Sequence, residues 1–271
     1  MKPANIILDL LRTYADRGTS VRNIMATGAM FGCTENQMRV NLSRLAARQM
    51  IENFSRGCYR LKGATDPLNE FIEDWRLGEA RVRPWQNTWL LAFAAADPAA
   101  ALPAATDRRN WALNSHGFRA VAPHCWIRPD NLALSHDDLE QRLQQLGMGA
   151  ATAIASNAHI NPQWQSQWRA QFSSQDLLQR YQQVLAALTQ SLQGLRKLPR
   201  PAAMKETFHL GGQAIQLLAK DPLLPAEMLD TSARAALWQL MLDYDRLGRD
   251  IWADAEAGKP GAIPMARQTF H

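Results

Sequence analysis

The chain has 271 residues, 46% of them hydrophobic, which suits two or three cored domains and excludes a small single module, global disorder or a fibrous sequence. No apolar run approaches the ~20 residues that a membrane helix requires; the longest, 89–96, runs into Asp97-Pro98. The net charge of +5 sits at one end: residues 1–62 carry ten Lys/Arg against four Asp/Glu, and the rest of the chain carries twenty against twenty-one. That asymmetry fits a nucleic-acid-binding head on a neutral body, the plain alternative being a solvated basic surface. All nine tryptophans lie at Trp75 or later, so the body holds the large aromatic cores. Cys33, Cys58 and Cys125 are odd in number and far apart, giving neither a disulfide framework nor a CxxC metal pair. Asp9 and Arg12 break any signal-peptide core, and a reduced, soluble, cytoplasmic protein is expected.

In chain order, Asn5 is placed to cap a helix whose apolar face is Ile6, Ile7, Leu10, Leu11 and Tyr14, with Arg17-Gly18 ending it. Ser20 is placed to cap a second, short helix through Met25, and Gly28 and Gly32 punctuate a turn. Thr34-Glu35-Asn36-Gln37 is a T-x-x-Q capping box that opens a third helix running to about Gln49. On a helical wheel Met38, Leu42, Leu45 and Ala46 face a core. Gln37, Val40, Asn41, Arg44, Ala47 and Arg48 face the other way, with Arg39 on the flank. Gln, Asn and Arg make bidentate contacts with base edges in a major groove, and the small Val40 and Ala47 let such a helix sit deep. An ordinary amphipathic helix with a solvated face is the plain alternative. Two short strands, 51–54 and 59–61, flank Ser55-Arg56-Gly57-Cys58, a hairpin with glycine in its turn. Three helices and a basic hairpin make a winged helix, whose wing would bring Arg56 and Arg60 to phosphates or a minor groove.

The spacing then predicts a connecting helix within 65–84, striped by Leu68, Phe71, Ile72 and Trp75. A strand follows over 85–95, then a helix over 106–113 with Arg108 and Arg109 outward. Strands are read at Gly117-Phe118 and 125–127, a helix at 137–146 and a weak strand at 151–155. The order strand–helix–strand–strand–helix–strand matches a ferredoxin-like domain. From Asn161 the chain reads as helical, with segments at 175–192, 203–220 and 231–257, and ends in a Gly/Pro-rich loose tail. The class is therefore α+β. The expected divisions are a winged helix-turn-helix at 1–64, a connecting helix at 65–84, a ferredoxin-like α/β domain at 85–158, a helical C-terminal domain at 159–257 and a tail at 258–271.

Five segments in the same order resemble the PaaX family, bacterial repressors of phenylacetic-acid catabolism. Met38-Arg39-Val40-Asn41-Leu42-Ser43-Arg44-Leu45 is similar to that family's recognition helix, and Tyr59-Arg60-Leu61 to the end of its wing. Trp85 with Trp89-Leu90-Leu91 resembles the opening of its central domain. Gly117-Phe118 through Pro123 to Trp126-Ile127-Arg128-Pro129 is a fourth match, and Asp221-Pro222-Leu223-Leu224-Pro225 resembles its C-terminal signature. The resemblance implies a homodimeric repressor on double-stranded operator DNA, released by an acyl-CoA effector, typically phenylacetyl-CoA. The DNA-binding residues are then Gln37, Arg39, Asn41, Ser43, Arg44, Arg48, Arg56 and Arg60. Trp126 and Arg128 are candidates for stacking and phosphate binding of the effector, core packing being the plain alternative. Where the family commonly carries His, an acid, an aromatic and Arg, this chain has Gly212, Gln213, Ala214 and Ile215. A departure there puts the effector in doubt more than the DNA binding.

No P-loop, GxSxG or Rossmann glycine pattern occurs. None of the six histidines (His116, His124, His136, His159, His209, His271) pairs with another ligand type at metal spacing. Asp97-Pro98 reads as a turn rather than a nuclease acid. No catalytic residue, metal or cofactor is therefore expected. An acyl-CoA-binding enzyme and a non-specific nucleic-acid scaffold are the competing classes.

Overall fold

The computed structural model describes residues 2–14, 18–62, 67–95 and 102–257. These form a mixed helix-and-sheet protein of the α+β class with two small antiparallel sheets. The expected tail at 258–271, the start of the connecting segment at 63–66 and Asp97 lie outside the described residues. Among those described, no helix is long and apolar enough to cross a membrane.

The first elements are α1 (Pro3–Tyr14), β1 (Thr19–Ser20), α2 (Val21–Met30), α3 (Glu35–Ala47), β2 (Ile51–Ser55), β3 (Cys58–Leu61) and α4 (Pro67–Glu73), which continues as a 3₁₀ segment, Asp74–Arg81. There follow β4 (Trp89–Ala94), α5 (Pro103–Ser115), β5 (Arg119–Ala122), β6 (Cys125–Pro129), α6 (His136–Gln145) and β7 (Thr152–Ala158). The rest is helical: α7 (Pro162–Arg169), α8 (Ser174–Leu195), α9 (Arg200–Ala219) and α10 (Ser232–Ala257). By their internal contacts the described residues form two units, one within 1–69, 188–213 and 242–271, the other within 70–187 and 214–241.

In the first unit, α1 starts at Pro3 rather than at an Asn5 cap. Proline suits the first helical position because its missing N–H has no intrahelical partner to lose. The Ser20 hydroxyl accepts the Asn23 N–H at 3.2 Å and starts α2. That helix runs on to Met30, past the expected stop at Met25. Gly28, expected in a turn, is helical because the α2–α3 contact needs it: a Cβ there would meet the Met38 side chain at 2.5 Å. The sheet order is β1-β3-β2, with Ile51 opposite Leu61 and Asn53 opposite Tyr59. Ile6, Ile7, Leu10, Leu11, Ile24, Met38, Leu42, Leu45 and Ile51 form its core. Met204 of α9 and Trp252 of α10 complete it. Phe208 packs on Phe31 with ring centroids 5.0 Å apart.

In the second unit, the four strands pair in the order β5-β6-β4-β7, all antiparallel. Leu90, Ala92, Trp126 and Ile154 present one sheet face to Ala112 and Leu113 of α5 and to Leu139 and Leu143 of α6. On the other face Trp89 packs edge-on against Trp85 and Trp168. Helix α5 starts three residues earlier than its pattern suggests and carries Arg109 inward, not outward. Its guanidinium lies 5.3 Å from the Trp126 ring centroid, and Trp111 takes the exposed side instead. Facing a ring gives the buried cation a favourable quadrupole. Gly117-Phe118 is the turn before β5 rather than a strand.

Gly117 holds φ +80, and a Cβ there would lie 2.8 Å from the Pro222 Cα and carbonyl oxygen. Substitution therefore combines left-handed strain with a backbone clash. Gly117→Ala is expected to cost about 3 kcal/mol in urea unfolding. An unchanged midpoint would show that the 221–225 segment is free to shift.

Candidate functional site

Two groups of residues stand out, one in each unit. In the first, the capping box on α3 is complete: the Gln37 N–H donates to the Thr34 hydroxyl at 3.2 Å, and the Thr34 N–H donates to Gln37 Oε1 at 2.9 Å. Met38, Leu42 and Leu45 are buried, as their spacing predicts, while Gln37, Arg39, Val40, Ser43, Arg44, Ala47 and Arg48 are exposed. Asn41 is half-buried and donates from Nδ2 to the Gln37 carbonyl at 2.8 Å. The predicted residues thus share one helix surface, but not all are equally disposed. The Gln37 side-chain oxygen is committed to the cap. Arg39 leans back on Glu35 at 2.5 Å, and Arg60 pairs with Glu52 at 2.7 Å beneath the Phe54 ring. Exposed pairs of this kind contribute only ~0–1 kcal/mol and exchange readily for another anion. Arg44, Arg48 and Arg56 are exposed and have no ion-pair partner among the described residues.

The second group gathers around residues 221–225, all of which are buried. The Asp221 carboxylate accepts the Tyr181 hydroxyl at 2.7 Å and the Leu223 N–H at 2.7 Å. The Leu223 carbonyl accepts Asn131 Nδ2 at 2.7 Å. Arg234 donates to the Leu224 carbonyl at 2.9 Å and holds Glu79 with two further bonds. Arg128 is 1% exposed. It donates to the carbonyls of Pro129, His116 and Pro222 and to the Asn131 side-chain oxygen. Burial pushes its pKa down to about 9, and raises that of Asp221 against the pull of Arg234.

Arg128, His116, Arg81 and Asp221 line a cavity of about 160 Å³ with Phe71 and Leu223 among its apolar walls. Burial, reinforced by the Arg128 and Arg142 charges, depresses His116 to about 4 despite its hydrogen bond to the Ala112 carbonyl. His116 is therefore neutral at pH 7. Because a carbonyl only accepts, Nδ1 carries the proton and Nε2 a free lone pair.

The two effector candidates part company here. Arg128 lines the cavity, whereas Trp126 is packed in the sheet–helix core beneath Arg109 and is not among the lining residues. Ser115, His116, Arg81 and Asp221 were not foreseen as one site. Arg128 and the Asp221 segment stand out in the sequence, but nothing local joins them. None of Gly212, Gln213, Ala214 and Ile215 lines the cavity; Gln213 meets His209 and Ala214 is fully buried on α9.

No protein-family model matches the chain, and no curated protein matches it either. Among solved structures it is similar to the uncharacterized protein Rv0674 from Mycobacterium tuberculosis, with a TM-score of 0.60 at 18% identity, over 93% of this chain and 97% of that one. At that identity the likeness bears on the fold alone.

His116 has a direct consequence for acid stability. Its folded pKa of about 4 lies below the ordinary 6.5, so between those values the unfolded chain takes up a proton that the native state refuses. Its contribution is full above pH ~6.5 and is lost as pH falls toward ~4, by about 3 kcal/mol at most. His116→Asn keeps a donor for the Ala112 carbonyl and removes the titration. Urea unfolding from pH ~7 to ~4 should therefore show a shallower decline in the variant. Parallel curves would mean that the imidazole titrates normally in the native protein.

Proposed function

We propose that the protein is a DNA-binding transcriptional regulator of the PaaX type, acting as a homodimeric repressor on double-stranded operator DNA. In this reading residues 1–62 are a winged helix-turn-helix, α3 is the recognition helix and β2–β3 the wing. The strand order β5-β6-β4-β7 with α5 and α6 on one face supports a ferredoxin-like centre. One observation carries the proposal: α3 buries a narrow apolar stripe and exposes Arg44, Arg48 and Val40 on the surface opposite, with Arg56 exposed in the hairpin that follows. Arg44 and Asn41 are the base readers, with Gln37 limited by its role in the cap. Arg39, Ser43, Arg48, Arg56 and Arg60 position the helix on phosphates. Two such heads would enter successive major grooves about 34 Å apart on a partly palindromic site. An effector would release the DNA by binding unequally to two dimer geometries, and phenylacetyl-CoA is the first ligand to add.

Fluorescence anisotropy on the upstream intergenic DNA and on scrambled DNA, across a salt series, tests this. Selective binding is expected. Equal affinity for both DNAs would favour a non-specific scaffold, and no binding at any salt would overturn the regulator. Arg44→Ala should cost about 1–3 kcal/mol on the operator and relax one base position. Arg56→Ala should weaken both DNAs alike and lower the salt slope by about one. Operator affinity indifferent to Arg44→Ala would remove α3 from the recognition role.

A further inference from the structure

The cavity walls in the second unit are chemically uneven. Phe71, Leu77, Leu132, Leu134 and Leu223 supply apolar lining. The polar lining holds groups with hydrogen-bonding capacity left over. Arg81 donates from Nε to the Gly78 carbonyl and from Nη1 to the Leu218 carbonyl, so three guanidinium hydrogens have no partner among the described residues. The Ser115 residue is 6% exposed, and its hydroxyl has no partner among those residues either. His116 offers its Nε2 lone pair.

Charge narrows the ligand further. The lining carries three guanidinium groups, those of Arg81, Arg128 and Arg142, against the carboxylates of Asp74 and Asp221. Arg142 and Asp74 pair with each other. Asp221 is already hydrogen-bonded by Tyr181 and Leu223, and Arg128 donates only to neutral oxygens. The adjoining Arg83–Asp130 and Arg234–Glu79 pairs are each neutral. By formal charge one positive group is thus in excess; Arg81 makes no ion pair among the described residues, and burial disfavours its charge, although the Asp221, Asp74 and Glu79 carboxylates favour it. Size sets the last limit: a cavity of about 150 Å³ holds a benzene ring, and this one measures about 160 Å³.

We propose that this cavity binds a small organic monocarboxylate whose apolar body is one ring or a short branched chain. Its carboxylate meets the Arg81 guanidinium and the Ser115 hydroxyl, and its body lies against Phe71 and the leucines. The acyl end of a CoA thioester carries no carboxylate to meet Arg81, so the free acid is the ligand. As a binding site it is independent of DNA binding; as the effector site of a regulator it rests on the reading above.

Isothermal titration of the full chain with benzoate, 3-methylbutanoate and cyclohexanecarboxylate tests it, with benzamide, benzylammonium and phenylacetyl-CoA as comparisons. At least one acid should bind saturably at one site per chain, and its amide about tenfold or more weaker, since a charge-assisted pair is lost. Ala80→Trp, at an exposed place on the cavity wall, should abolish acid binding while leaving the urea midpoint unchanged. Arg81→Gln should weaken the acid about tenfold and the amide little. Failure of all three acids, amide binding as tight as acid, binding of the thioester alone, or full acid binding by Ala80→Trp would each overturn the proposal. Adding the acid to the anisotropy assay separates the two readings. Acid binding by a protein that ignores DNA keeps the cavity and overturns the regulator. Selective DNA binding by a protein that ignores every acid overturns the cavity alone.

Discussion

A guanidinium group cut off from water must find acceptors or unfold its surroundings, and in the second unit Arg128 meets that demand with backbone. Its donors reach carbonyls after α5, at the end of β6 and in the 221–225 segment, with the Asn131 side chain as a fourth acceptor. Asn131 in turn donates to the Leu223 carbonyl. A loop as buried as 221–225 needs a partner for each carbonyl, and Arg128, Asn131 and Arg234 supply them for Pro222, Leu223 and Leu224. Gly117 permits the close approach on which this depends. Arg128 and Asp221 thus line the cavity together with Phe71 and the leucines.

The first unit is organised differently. Its charged groups are on the surface, and its interior is mostly aliphatic, with Tyr14 and Trp252 among the buried residues. Helix α3 stands between the two, held at its start by the Thr34–Gln37 exchange and along its length by Met38, Leu42 and Leu45. The Gly28–Met38 contact brings α2 close enough to fix the direction in which α3 shows its arginines. On the DNA-binding reading the rigidity of that contact matters as much as the arginines, because bidentate base contacts tolerate little tilt.

What could be read beforehand divides by range. The capping box was legible because donor and acceptor lie three residues apart, and the buried stripe of α3 because its period is helical. Ser20 as a cap and the strand–helix–strand–strand–helix–strand order were legible for the same local reasons. Gly28 misled because glycine's turn preference was outweighed by a Met side chain ten positions on. Arg109 misled because charge usually points to water, whereas here an aromatic face receives it. Helix α7 lay within the stretch read as helical from Asn161 but did not stand out as a segment, because its apolar residues are only Trp164 and Trp168 and none of its residues is buried. The cavity was out of reach altogether: Phe71, His116, Arg128 and Asp221 meet only through tertiary structure, and no spacing rule links them.

The mostly aliphatic interior of the first unit also bears on the order of synthesis. Met204 and Trp252 belong to the same core as Ile6, Leu10 and Met38. During translation the three N-terminal helices therefore emerge long before the side chains that close their apolar surface. Until Trp252 has been added, that surface stays open to water or to a chaperone. Native packing at the chain's beginning is in this sense a late event, gated by elongation rather than by the local helix propensities that make those first residues so easy to read.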